Sequence, residues 1–204
     1  MPTEIRIYFE GDKSLKPGFA AFFSELKTRA MAKRCKVEFI ATGGKPQGDF
    51  TLAMATHQTA WNILIRDSER PYKPNLSAAL CAEQGWSQSH ADSIFWMVEM
   101  MESWFYADKD ALAGYYKKGF RKEALKANSR VEEIPKQDLI SGLKAATKDT
   151  AKRDYFHHKA KHGPDLLALI NPVLVRKAAP NCERIFKAVL DRLAESQPLK
   201  TTYA

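Results

Sequence analysis

The chain has 204 residues, 45% of them apolar and 27% charged, and a net charge of +8. That suits one sizeable core, or a core with an appended helical lobe. No run approaches the roughly 18 apolar residues needed to span a bilayer, and the start lacks the basic-then-apolar pattern of a signal peptide, so no membrane association and a cytoplasmic location are expected. Cys35, Cys81 and Cys182 are widely spaced and form no Cys-x-x-Cys pair, so neither a disulfide framework nor a zinc knuckle is expected.

The charge is uneven along the chain. Residues 1–116 carry a net −1, residues 117–161 carry +7 and residues 162–204 carry +2. A basic concentration of this kind attracts a polyanion, chiefly nucleic acid, or keeps a helical lobe solvated.

In chain order, Ile5-Arg6-Ile7-Tyr8-Phe9 predicts a first strand that delivers Glu10 at its C-terminal end. Pro17 suits a helix start, and Phe19, Phe22, Phe23, Leu26 and Ala30 then share one helical face. Val37-Glu38-Phe39-Ile40 predicts a second strand before Gly43-Gly44, and residues 49–57 a second helix. Ile63-Leu64-Ile65 reads as a buried strand that ends in Asp67 and Glu69. The alternation of strands and helices implies right-handed crossovers and a parallel sheet.

Residues 76–92 read as mixed and polar after a loop marked by Pro71 and Pro74, and Ile94–Val98 predicts a fourth strand. A helix with Val98, Met101, Trp104 and Phe105 on one side is expected directly behind it, which puts Glu102 beside the stripe. Helix is expected at 108–118 and around Asp138–Thr147. A short helix is expected to start at Pro164 and the last helix at Pro180, with Ile185, Phe186, Val189, Leu190 and Leu193 as its buried face and a frayed tail from Ser196. Residues 1–108 are thus expected to form the α/β core and residues 109–204 a basic helical portion packed on it.

Glu10, Asp67 and Glu69 then meet at the C-terminal edge of one sheet, where open α/β folds bind ligands, and Glu102 enters from behind the fourth strand. Crowded carboxylates raise one another's pKa unless a cation compensates them. Oxygen-only ligands favour Mg²⁺ or Mn²⁺. Each acid also has an ordinary reading: Glu10 as a turn residue, Asp67-Ser68-Glu69 as a turn or cap, and Glu102 as a helix-start residue. Asp154, His158 and His162, spaced by four, offer a weaker zinc alternative.

Glu10 after the first strand and Asp67-x-Glu69 after the third resemble the acidic signature of Toprim domains, including those of overcoming-lysogenization-defect nucleases; Glu69 stands where the usual motif has Asp. More closely, the chain resembles the Toprim-like family catalogued as domain of unknown function 4276. The segments that carry this are Tyr8-Phe9-Glu10-Gly11, Asp67-Ser68-Glu69, Met101–Asp108, Glu132–Lys136, Leu143–Thr147 and Lys161-His162-Gly163.

The resemblance implies a Toprim-like, Rossmann-like parallel sheet flanked by helices. It also implies a divalent-metal-dependent nuclease or phosphodiester-processing subunit. Glu10 would be the acid/base or a ligand, Asp67, Glu69 and Glu102 would hold Mg²⁺ or Mn²⁺, and Lys161, with Lys159 as the second choice, would neutralise charge on the phosphate. Lys144, Lys148, Lys152, Arg153 and Lys159 are the basic residues expected to contact DNA or RNA. An ATPase partner in a phage-defence system is likewise implied by the resemblance. The competing expectation is a non-catalytic subunit that binds a nucleotide, a nucleic acid or the ATPase through the same cleft.

Overall fold

The computed structural model describes residues 2–86 and 88–195 and centres on four parallel strands in the order β2-β1-β3-β4. These are β1 (Glu4–Phe9), β2 (Lys36–Ala41), β3 (Trp61–Asp67) and β4 (Ile94–Met97). The expected parallel α/β sheet is present, and every strand pairing runs parallel. The short third strand foreseen at Ile63–Ile65 extends to Asp67, its last residue.

Alternation along the strands divides the interior into two faces. Ile5, Ile7, Phe9, Ile63, Ile65, Phe95 and Met97 join one apolar cluster, while Tyr8, Leu64, Ile94 and Trp96 join the other. Helices α1 (Lys16–Phe22), α2 (Ser24–Ala32), α6 (Lys109–Tyr116), α7 (Lys136–Thr147), α8 (Lys159–Leu169), α9 (Pro172–Ala178) and α10 (Pro180–Ala194) contribute to the first cluster. Helices α3 (Pro46–Thr56) and α4 (Leu76–Glu83) line the second; α5 (Gln88–Ala91) lies between α4 and β4. The C-terminal helices thus share a core with the sheet: Phe22 stacks on Trp104 at 5.0 Å and Phe23 meets Phe186 at 5.1 Å. Each such fully buried ring stabilises the fold by about 2 kcal/mol through area alone.

Several elements depart from the sequence expectations. The first helix breaks at Phe23 into α1 and α2, yet all five of its foreseen face residues are buried. Residues 76–92, read as mixed and polar, contain α4 and α5; Leu76, Leu80 and Cys81 give α4 its buried face. The helix foreseen behind β4 is a tight 3-10 segment, Met101–Ala107, and Glu99, with a left-handed φ of 60°, turns the chain just before it. Its residues from Met101 to Tyr106 are all buried, so no polar side remains.

The helix expected to start at Pro164 begins at Lys159 and runs through the proline. A 3-10 turn, Tyr155–His158, leads straight into it, started by Asp154 Oδ1, which accepts the Phe156 N–H at 2.7 Å. Gly18 of α1 allows this helix to sit close: a Cβ there would lie 2.6 Å from the Pro164 carbonyl oxygen. That contact draws the start of α8 over the sheet's C-terminal edge. The frayed tail foreseen from Ser196 lies outside the described residues.

Candidate active site at the C-terminal edge of the sheet

Strand register decides where each acid goes. Phe9 pairs with Ile65, so Glu10 and Arg66 follow in step on the same face, and their side chains form an ion pair at 3.3 Å. The pair lacks hydrogen-bond geometry, and both Glu10 Oε2 and Arg66 Nε are buried without a hydrogen-bond partner. Arg66 is held from behind by Gln84 Oε1 at 2.8 Å and lies over the Trp96 ring.

Asp67 has the opposite parity and faces the helical side. Its Oδ1 accepts the Met101 N–H at 2.8 Å. Burial pushes its carboxyl up to about 8, with the Glu102 carboxylate and, more weakly, Glu10 adding to the rise and Lys159 opposing it. Near neutral pH this group holds its proton, as expected of an acid whose counter-cation is insufficient.

Glu102 is fully buried in the Met101–Ala107 segment. Its Oε1 accepts the Tyr155 hydroxyl at 2.7 Å and pairs with Lys159 Nζ at 2.8 Å, while Oε2 has no hydrogen-bond partner. Lys159 keeps a half-exposed stem with its ammonium drawn inward onto Glu102. Burial works to lower the Lys159 pKa, but Glu102, Asp67 and Glu69 outweigh it and the pKa rises.

Glu10, Asp67 and Lys159 line one cavity of roughly 430 Å³, together with Gly11, Asp12, Ser14, Leu15, Gly43, Met101 and Ala160. Asp12 is a cavity residue that the sequence reading does not single out, although it follows Glu10 by two. Its Oδ1 accepts the Ser14 N–H at 2.8 Å, which lowers its pKa. The structure brings Glu10, Asp67, Glu102 and Lys159 together. Glu69 does not line the cavity: its left-handed φ of 52° turns it outward, where it pairs with Lys136. Ser68, between Asp67 and Glu69, is buried and shapes the turn, accepting the Glu99 N–H at 2.8 Å.

The basic residues fall elsewhere. Lys161 is exposed and does not line the cavity; Lys159, expected among the nucleic-acid contacts, does. Lys144, Lys148, Lys152 and Arg153 are exposed on α7 and the turn after it, with Lys144 over the Phe156 ring and Lys152 over the Tyr115 ring. Both ring nitrogens of His162 are engaged, Nδ1 with the Tyr115 hydroxyl at 2.8 Å and Nε2 with the Lys152 carbonyl at 3.2 Å, which removes it from the zinc alternative.

Among the described residues no three His, Cys, Asp or Glu side chains are grouped to hold a metal ion. A closed protein cage is therefore not formed here. The oxygen-only donors Glu10 and Asp67, one with a buried oxygen that has the Arg66 ion pair but no hydrogen bond and the other short of counter-charge, fit the looser mode of Mg²⁺, which keeps several waters and takes one or two carboxylates.

A family model matches residues 12–190, most of the chain. The chain belongs to the family described as Domain of unknown function (DUF4276). No curated protein and no solved structure matches it. Within the matched region Glu132 plays a structural part. It is buried, and its two oxygens accept the Asn181 N–H and Nδ2–H, each at 2.9 Å, at the start of α10. No helix among the described residues is long and apolar enough to cross a membrane. The three cysteines are free and buried.

Proposed function

We propose that the cavity is the active site of a divalent-metal-dependent nuclease or phosphodiester-processing subunit. The observation that carries this reading is the meeting of Glu10 and Asp67 with Lys159 in one cavity at the strands' C-terminal ends, where Asp67 lacks counter-charge. The likeness of Glu10 and Asp67 to Toprim acids supports it further. Glu10 and Asp67 would hold Mg²⁺ or Mn²⁺, and Glu69 reaches the site only by leaving Lys136. The bound ion supplies charge neutralisation at the phosphate and activation of water.

The chain's own residues do the rest. One water is consumed per phosphodiester: its oxygen forms a bond to phosphorus while the bond to the leaving sugar oxygen breaks. The water's proton goes to solvent and the leaving oxygen takes one up from solvent, because Asp67 holds its own proton near neutral pH and gives it up only as it becomes a ligand. The Lys159 ammonium meets the phosphate oxygens. Lys144, Lys148, Lys152, Arg153 and Lys161 form the exposed approach for a nucleic-acid backbone. The setting in the cell is a phage-defence system with an ATPase partner, a reading that rests on the family resemblance.

Incubation of the purified protein with plasmid DNA and with RNA, in Mg²⁺ or Mn²⁺, tests this against an Asp67→Ala control. Metal-dependent cleavage lost in the variant is expected. No cleavage of either substrate in any metal contradicts it.

A second reading, a non-catalytic subunit that binds a nucleotide or the ATPase through the same cleft, is favoured by one observation. Lys136 and Lys159 already neutralise Glu69 and Glu102, and no three acids among the described residues are grouped for a metal. A stoichiometric ATPase recovered from a native extract with protein that cleaves nothing selects this second reading.

A further inference from the structure

We propose that Glu102 and Tyr155 are positioning residues that hold the Lys159 ammonium at the cavity wall, where it receives a phosphoryl group of the ligand. Glu102 is thereby reassigned from metal ligand to support. The inference rests on the reading of the cavity as a phosphate-ester site and specifies how that site is built.

Glu102 is completely buried and does not line the cavity, so a ligand meets Lys159 and not the carboxylate beneath it. A single oxygen, Oε1, receives both the Tyr155 hydroxyl at 2.7 Å and Lys159 Nζ at 2.8 Å. Tyr155 is itself fully buried and fixed at both ends. Its N–H donates to Thr147 Oγ1 at 3.0 Å, and its ring packs edge-on against Phe105 at 5.8 Å.

Helix α8 crosses directly over this hydroxyl at Gly163, where a Cβ would lie 3.4 Å from it and 3.2 Å from Leu15 Cδ2. The support is therefore packed from above, below and behind, and the one flexible member, Lys159, ends in the cavity. Such a buttressed arrangement removes rotamer freedom from a lysine before any ligand arrives.

A fold clip alone does not account for the placement. The second oxygen of Glu102 is buried without a hydrogen-bond partner. An unsatisfied buried acceptor costs stability, which a residue kept only for packing would avoid.

The test uses inorganic phosphate as probe in metal-free buffer, followed by calorimetry and by the NMR signal of the lysine NζH₃⁺ groups. Wild-type protein is expected to bind phosphate with a shift of one ordered lysine signal, absent in Lys159→Met. Tyr155→Phe, which keeps the ring and its packing, should weaken phosphate binding about threefold and Glu102→Gln about tenfold, the scale of one lost hydrogen bond and one lost charge-assisted bond. In both, the phosphate-dependent lysine shift should fade while the circular dichroism stays native.

Wild-type affinity and an undiminished lysine shift in Tyr155→Phe overturn the positioning role and leave the phosphate site standing. Absence of phosphate binding in the wild type overturns the phosphate-site reading and the positioning role with it. Phosphate binding with the expected pattern in a protein that cleaves nothing keeps the positioning role and removes only the catalytic reading.

Discussion

Lys159 Nζ lies 2.8 Å from Oε1 of Glu102, a contact between a half-exposed lysine at the start of α8 and a carboxylate with no exposure at all. It joins the acidic edge of the sheet to the basic portion of the chain. Removing the buried partner leaves Tyr155 and Lys159 without their acceptor, and Glu102→Ala is expected to destabilise the fold by about 3 kcal/mol. Urea unfolding against wild type measures it. A loss within about 0.5 kcal/mol, the range of an ordinary surface substitution, contradicts the burial argument.

Asp67 makes stability depend on pH in a definite direction. Its carboxyl rises from the usual 3.8 to about 8 on folding, so between those values the folded protein holds a proton that the unfolded chain has released. Stability therefore falls as pH rises through that window, and the unfavourable contribution is complete above the folded pKa. Asp67→Asn keeps an acceptor for the Met101 N–H and removes the titration. The variant is expected to exceed wild type by at least about 2 kcal/mol at the alkaline end of the window and to match it near pH 4. Denaturation at a series of pH values in chelator shows whether the difference opens with pH; a constant difference contradicts the assignment.

Much of this site is legible in the sequence because strand ends are local features. Ile7-Tyr8-Phe9 and Ile63-Leu64-Ile65 announce buried strands, and the acids that follow them, Glu10 and Asp67, do reach one cavity. Glu69 sits two residues further along, and a single left-handed residue sends it to Lys136 instead; no composition signal marks that φ. Lys159 and Lys161 differ by about 200° around a helix, so which one faces the acids depends on where α8 lies, and that is set by Gly18 against Pro164, two segments far apart in the chain. The Tyr155 hydroxyl on Glu102 is equally non-local, at a separation of 53 residues. Helix α4 is legible in its own composition, Leu76–Glu83 being mostly Leu, Ala and Cys, and is obscured only when averaged with the polar residues 84–92 that follow it.

Glu132 secures the start of α10 through two hydrogen bonds to Asn181. Glu132→Ala strips both acceptors from buried donors, at an expected cost of about 2–3 kcal/mol. Hydrogen exchange should show the first turn of α10 losing protection ahead of β1 and β3. Unchanged protection there contradicts the latch.

The exposed basic residues set the salt dependence of any nucleic-acid binding. Replacing Lys144, Lys148, Lys152 and Arg153 with Gln is expected to flatten the plot of log affinity against log salt by roughly 0.7 per lost phosphate contact on a single strand. Filter binding of a labelled oligonucleotide over a range of salt reads the slope. An unchanged slope places the nucleic acid on another surface.

A crystal structure of the protein grown with Mn²⁺ and recorded for anomalous scattering tests the central claim most directly. The expected result is a peak in the cavity within coordination distance of Glu10 and Asp67, with Lys159 still on Glu102 and the remaining ligands supplied by water. A cavity without a peak at saturating Mn²⁺, or a peak only at surface carboxylates such as Glu69, contradicts it.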